Sequence, residues 1–162
     1  MISRGARGGW IIIGTLIVAL ILTIIPIPAI AGPFRPPWTL LVLLYWSLAL
    51  PNRVGVGVAW MTGLLQDVLL GTLLGAHALA FAVAVYLSIQ LYQRIRNFPL
   101  WQQAIPVLLL LLLVRLILLW VHELTGAGSP GWQYWLPALT GMLLWPLVFP
   151  LLRFMRRYHQ VT

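Results

Sequence analysis

Residues 99–122 read PLWQQAIPVLLLLLLVRLILLWVH, a run in which Arg115 is the only Asp, Glu, Lys or Arg. A helix needs about 20 mostly apolar residues to cross a bilayer, so this stretch predicts a transmembrane helix. The rest of the chain has the same character, since 62% of its 162 residues are hydrophobic and 7% are charged. Soluble proteins average roughly 45–50% apolar and about 25% charged residues. We therefore expect a single integral membrane domain over residues 1–162.

Five further apolar segments accompany this run, and Pro and Gly residues separate them. We place the six spans at residues 10–30, 37–50, 54–73, 75–93, 99–122 and 132–152. The second span is short, so it must tilt little or thin the bilayer locally. The first also resembles a signal peptide, but because five spans follow it we expect it to be retained as an anchor. The predicted fold class is all-α, a polytopic bundle of six transmembrane helices.

The arginines predict the orientation of this bundle, because basic residues concentrate on the cytoplasmic side of membrane proteins. With both termini inside, Arg35 is the one arginine outside and Arg115 lies within the fifth span. The remaining eight fall on the cytoplasmic side: Arg4, Arg7, Arg53, Arg94, Arg96, Arg153, Arg156 and Arg157. Five or seven spans would scatter these residues, so we predict six helices with the N- and C-termini inside.

The last arginines, Arg153, Arg156 and Arg157, close the sixth helix. They suit contact with anionic lipid headgroups, at about 1 kcal/mol for each cation near the surface. Docking of a cytoplasmic partner is the alternative. The net charge of +8 forms no dense basic patch, so we expect no nucleic-acid binding.

Residues suited to catalysis or to metal binding are scarce. There is no Cys, which excludes disulfides, thiol catalysis and thiolate metal sites. His122-Glu123 begins like the zinc motif H-E-x-x-H, but residue 126 is Gly, so the second ligand is missing. Paired carboxylates and a Ser–His–acid arrangement are also lacking. We predict no enzymatic activity, no cofactor and no metal.

Asp67 and Arg115 are opposite charges that the span boundaries place at similar depth in the outer half of the membrane. Ionisable groups at that depth usually face the bundle interior, where they are paired or hydrated. We therefore predict an ion pair or a shared hydrogen-bonded network between the third and fifth helices. It would serve as a structural staple or as a partner-coupling switch. The remaining alternative has Arg115 extending outward alone, with Asp67 bonded to Gln66 or to backbone.

Gly71 and Gly75 have the G-x-x-x-G spacing that lets helices approach closely, although a tight turn between the third and fourth spans also requires glycine. Together with His77, Trp132 and Trp135, these glycines are our candidates for partner-facing or helix-packing residues.

Residues 34–38 (FRPPW) and 43–54 (LLYWSLALPNRV) resemble the second helix, and the turn that follows it, of the MreD family of rod shape-determining proteins. Residues 63–75 (GLLQDVLLGTLLG), with Ala78-Leu79, are similar to its central motif, which includes Asp67, Gly71 and Gly75. Residues 100–104 (LWQQA) fit as well, and the resemblance extends over essentially the whole chain.

The resemblance implies a bacterial inner-membrane protein that acts with MreC in the cell-wall elongation machinery. That machinery includes the MreB filament, a glycosyltransferase and its transpeptidase partner. It also implies a fold like that of the substrate-binding subunits of energy-coupling-factor transporters. Our first hypothesis is a noncatalytic scaffold or coupling subunit in cell-shape maintenance. The second is a small-solute or lipid-binding membrane protein with an outward-facing pocket near Asp67.

Overall fold

The computed structural model describes residues 9–25, 35–51, 54–71, 74–126 and 131–158. Within these ranges the chain forms α-helices and one short 3-10 helix, and it contains no β-strand. The all-α prediction is confirmed. The helices are α1 (Gly9–Ile24), α2 (Trp38–Ala49), α3 (Val56–Leu70), α4 (Ala76–Asn97), α5 (Leu100–Leu124), the 3-10 helix (Trp132–Trp135) and α6 (Leu136–Tyr158).

Each predicted span contains one helix, but the boundaries differ. α4 continues to Asn97 and α6 to Tyr158, beyond the predicted ends at residues 93 and 152. The predicted end of the first span, at residue 30, lies outside the described residues. Three segments in the described part of the chain are long and apolar enough to cross a membrane: Ala76–Arg96, Leu100–Leu124 and Trp132–Tyr158. α1, α2 and α3 are shorter apolar helices of 16, 12 and 15 residues.

The helices alternate in direction. Residues from the end of α1, the start of α2, the end of α3 and the start of α4 line one cavity: Thr23, Thr39, Leu70 and His77. At the opposite end, Ala49, Arg96 and Arg153 line a second cavity. The C-terminal ends of α2, α4 and α6 therefore meet at one end of the bundle.

α2 lies at the centre of the bundle, where every residue from Thr39 to Leu48 is buried. A helix that is hydrophobic on all sides is expected in such a position. α2 packs against α1, α4 and α6. The Trp46 indole donates a hydrogen bond to Thr15 Oγ1 of α1 at 2.9 Å, and the hydroxyls of Ser47 and Ser88 lie 2.7 Å apart. The side chains of Trp46 and Ser47 thus form hydrogen bonds to neighbouring helices.

The outer surface is apolar. α6 exposes a leucine at every fourth position: Leu139, Leu143, Leu147 and Leu151. α3 likewise exposes Trp60, Met61 and Leu65. Contiguous apolar surface of this extent is rare on soluble monomers. The exterior therefore matches that of a protein surrounded by lipid.

Candidate functional site

The turn between α3 and α4 is built on two glycines with left-handed backbone conformations. Gly71 ends α3 with φ 69°, and its N–H donates to the carbonyl of Asp67. Gly75 precedes α4 with φ 100°. Only glycine adopts such angles without steric cost, and a Cβ on either residue would have no neighbour within 4 Å. The two positive φ angles agree with the tight-turn interpretation, and no described helix of this chain packs closely against either glycine. Contact of Gly71 and Gly75 with a partner stays a prediction.

The Asp67 carboxylate caps the N-terminus of α4. Its Oδ2 accepts the Gly75 N–H at 2.9 Å, and both oxygens accept the His77 N–H at 3.1 Å. The residue is 1% exposed. The first N–H groups of a helix have no partner within the helix and carry a partial positive charge. The end of α4 therefore stabilises the ionised carboxylate in the interior.

His77 contacts the Asp67 carboxylate through its side chain as well. Its Nδ1 lies 2.7 Å from Asp67 Oδ1. Its ring packs edge-on against Phe81, with the ring centroids 5.6 Å apart. The His77 side chain is 12% exposed and lines a cavity between the helices, so it packs within the bundle. Contact of His77 with a partner protein stays a prediction.

Arg115 binds Tyr134 of the 3-10 helix. Its Nε and Nη2 donate to the Tyr134 carbonyl at 3.1 and 2.7 Å, and its Cζ lies 4.0 Å from the centre of the Tyr134 ring. The Tyr134 hydroxyl donates in return to the Arg115 carbonyl. These reciprocal contacts hold the start of the last membrane segment against α5.

The predicted ion pair between Asp67 and Arg115 is wrong. The Asp67 carboxylate contacts His77, and the Arg115 guanidinium group binds Tyr134 instead. The backbone bonding of Asp67 belongs to the third alternative considered above, but Arg115 does not extend outward alone. The depth argument located both residues at the same end of the bundle. Depth does not fix the rotation of a helix about its axis, and that rotation decides which side chains meet.

A cavity of about 240 Å³ lies beside this site. We call it the Gln66 cavity. Its polar lining consists of Thr23, Arg35, Thr39, Gln66, His77 and Arg115. Gln66 Oε1 and Arg35 Nη2 are buried there, and neither has a hydrogen-bond partner in the described part of the chain. His77, which contacts Asp67, is part of the lining. The hypothesis of a small-solute or lipid-binding protein predicted a pocket near Asp67.

The other predicted residues lie away from this cavity. Trp132 is 73% exposed, whereas Trp135 is half-buried and packs edge-on against Tyr134. Arg153, Arg156 and Arg157 line the second cavity, of about 290 Å³, together with Arg96 and Tyr45. Among the described residues, no group of three His, Asp or Glu side chains is placed to hold a metal ion.

Three residues of this region were not proposed as site residues from the sequence: Gly63, Gln66 and Tyr134. Gln66 was considered only as a possible partner of Asp67. Gly63 lies at the contact between α3 and α4. The sequence alone does not distinguish Gly63 from Gly57, an earlier glycine of the same helix. In the structure Gly57 has open space around it, whereas Gly63 lies against α4. The fixed pairing of Tyr134 with Arg115 depends on a loop conformation that periodicity does not reveal.

A family model described as rod shape-determining protein MreD matches residues 6–155. The chain belongs to the MreD family. It is 38% identical over 146 residues to the rod shape-determining protein MreD of Haemophilus influenzae, and the match covers 90% of each chain. No solved structure matches the chain. The MreD match includes the whole α3–α4 turn and the Gln66 cavity, and the resemblance inferred from the sequence is confirmed.

Proposed function

We propose that this MreD-family chain is a noncatalytic scaffold or coupling subunit of the bacterial inner membrane that acts with MreC in maintaining cell shape. The observation that carries the proposal is the family match over residues 6–155, since the family is described as rod shape-determining. A role in cell shape follows from the family. The scaffold role, the partner and the assignment to the cell-wall elongation machinery are our extension of it. MreB and the elongation glycosyltransferase and transpeptidase are the further partners that we propose.

The proposed topology has six transmembrane helices with both termini in the cytoplasm, in a fold resembling energy-coupling-factor substrate-binding subunits. The alternating helix directions support it, as does the grouping of Arg96 with Arg153, Arg156 and Arg157 at one end of the bundle. Arg35 lies at the opposite end. Reporter fusions after residue 98 and after residue 158 should report a cytoplasmic location, and one after residue 126 should report the outside. A C-terminal reporter that is active outside would contradict this topology.

The exposed apolar surfaces suit association with another membrane helix. In lipid, helices associate through van der Waals packing and shape complementarity. Trp132 projects from the outer segment with 73% exposure, and aromatic side chains are enriched in protein interfaces. Trp132 is therefore the residue on which we place the contact with MreC.

Copurification from a mild detergent tests the scaffold proposal. We expect MreC to copurify with the unmodified chain, and Trp132→Ala to lower its recovery at least about fivefold, the effect of roughly 1 kcal/mol. Trp101→Ala is the matched control, because Trp101 is 68% exposed and lies in the first turn of α5, at the other end of the bundle. Loss of rod shape on deletion of the gene, without physical association between the two proteins, would contradict scaffolding.

The arginines at the cytoplasmic end are proposed to bind anionic lipid headgroups. Arg96, Arg153, Arg156 and Arg157 border one cavity that neither Asp67 nor Glu123 lines. The hydroxyl of Tyr45 is buried at the same cavity. Replacing Arg153 and Arg156 with Gln should reduce the phosphatidylglycerol that copurifies with the protein. Unchanged lipid content would favour docking of a cytoplasmic partner instead.

A further inference from the structure

We propose that the Gln66 cavity binds a small oxyanion, a phosphate or a carboxylate group. This site goes beyond the scaffold function and does not depend on it. The cavity is lined by two arginines, Arg35 from the segment before α2 and Arg115 from α5. Neither of the two acidic residues of the chain lines it. The charge in the cavity is therefore positive and lacks an acidic counterpart in its lining.

The chain cannot supply that counterpart from its other side chains. It has ten arginines and two acids, Asp67 and Glu123. The Asp67 carboxylate is already bonded to the N-terminus of α4 and to His77. Glu123 lies in the exposed last turn of α5. A cation inside a membrane protein is costly unless it is paired or hydrated, so an anion from outside the chain would stabilise the two guanidinium groups.

Two residues that line the cavity have a buried hydrogen-bonding atom without a partner. Arg35 Nη2 and Gln66 Oε1 are buried with no partner in the described ranges, and Gln66 is 8% exposed. Arg115 donates from Nε and Nη2 to the Tyr134 carbonyl. These two hydrogen bonds fix the orientation of the rest of its guanidinium group. A buried polar atom without a partner costs roughly 1–3 kcal/mol. An oxyanion that accepts from Arg35 Nη2 would remove this cost at the arginine. Gln66 Oε1 is itself an acceptor, so only a ligand that also carries an O–H, such as a protonated phosphate, would satisfy it.

The size and the donor chemistry define the class of ligand. Guanidinium groups match the geometry of carboxylate and phosphate oxygens. The volume of about 240 Å³ exceeds the roughly 10–15 Å³ that admits one water and falls below the roughly 300–1,000 Å³ of pockets for drug-sized molecules. A single phosphate or carboxylate group, free or at the head of a lipid, fits these limits.

Thermal unfolding in nanodiscs tests the proposal with two sources of anion. Inorganic phosphate is added to phosphatidylcholine nanodiscs at constant ionic strength, and phosphatidylglycerol is included in a second set of nanodiscs. We expect one source to raise the Tm of the unmodified chain by about 3 °C or more at about ten times Kd. A rise with phosphate identifies a soluble anion, and a rise with phosphatidylglycerol alone identifies a lipid headgroup.

Arg35→Gln should abolish the rise, and Gln66→Leu should reduce it. Arg35→Gln breaks no hydrogen bond within the described ranges, so its Tm in chloride reports directly whether the fold is kept. Arg94→Gln, the control, removes one charge at an exposed position of α4 that lines neither cavity, so it should keep the rise. Arg153→Gln tests the competing site at the other end of the bundle. The proposal is overturned if neither anion raises the Tm, or if Arg35→Gln keeps the rise. A rise that only Arg153→Gln abolishes would also overturn it, because the anion would then bind at the cytoplasmic end.

Discussion

Gly63 of α3 lies so close to Ala78 of α4 that a Cβ atom on Gly63 would be 2.4 Å from the Ala78 Cα and 2.5 Å from the Ala78 nitrogen. Both atoms belong to backbone, which cannot move aside as a flexible side chain can. Gly63→Ala must therefore push the two helices apart. Since overpacking typically costs about 1–3 kcal/mol, we expect a loss of about 2 kcal/mol or more in the free energy of unfolding, measured by denaturant titration in detergent.

Gly57→Ala is the matched control for Gly63. Gly57 lies on the same helix, and a Cβ there would meet no atom within 4 Å. Alanine is favoured over glycine within a helix by roughly 0.5–1 kcal/mol, so this variant should be neutral or more stable. Equal losses in the two variants would show that the close approach of α3 and α4 does not determine the effect.

Asp67→Asn tests the cap on α4. The carboxylate accepts backbone N–H groups from Gly75 and His77 and contacts the imidazole. The neutral amide keeps one acceptor oxygen and loses the charge that the helix end stabilises. Hydrogen bonds to charged groups contribute roughly 1.5–3 kcal/mol, and we expect a loss in that range in the same titration. Glu123→Gln, at an exposed position outside the α3–α4 turn, should lower the free energy of unfolding less than Asp67→Asn does.

Gly75→Ala separates backbone strain from crowding. The space around Gly75 is open, but its φ of 100° is unfavourable for alanine. A left-handed backbone conformation costs a residue with a Cβ roughly 1–2 kcal/mol, so we expect a decrease of that size in the free energy of unfolding. Gly14→Ala, in α1 with equally open surroundings and no positive φ, is the comparison. If Gly75→Ala unfolds at the same denaturant concentration as the unmodified chain, the turn has another conformation in the membrane.

Arg115→Lys should weaken the attachment of the 3-10 helix to α5. Lysine lacks the planar fork through which Arg115 binds the Tyr134 carbonyl, and it stacks less well on the ring. We expect the free energy of unfolding to fall by about 1–2 kcal/mol. Proteolysis near residues 126–131 should also become faster. Arg94→Lys, in the last turn of α4 with no shortage of space around it, should leave both measurements unchanged.

The sequence specified the number and order of the helices better than their ends or their partners. Apolar segments interrupted by Pro and Gly located each helix. The ends of α4 and α6 were missed because hydropathy falls at Arg94 and Arg153, whereas the helices continue. Arginine at a membrane surface extends its charged group to water while its stem stays in apolar surroundings, so a helix need not end where the charges begin.

The Asp67 site shows why side-chain partners were harder to predict. The spacing of Asp67, Gly71 and Gly75 indicated a turn, and glycine was expected there because a tight turn requires it. That the turn returns the start of α4 to the Asp67 carboxylate depends on two positive φ angles, which residue types permit but do not require. Arg115 was assigned to the nearest opposite charge at its depth, although a backbone carbonyl and an aromatic ring were available to it.

The enclosure of α2 has a consequence for how the chain assembles. A 12-residue helix of about 18 Å is shorter than the hydrocarbon core, which is about 30 Å thick. It is buried from Thr39 to Leu48 once the bundle is complete, yet it is synthesised before α4 and α6, against which it packs. Insertion and packing are separable stages for membrane helices. The later helices must therefore close around α2 after they are synthesised, and a chain halted before α6 would leave one side of α2 uncovered.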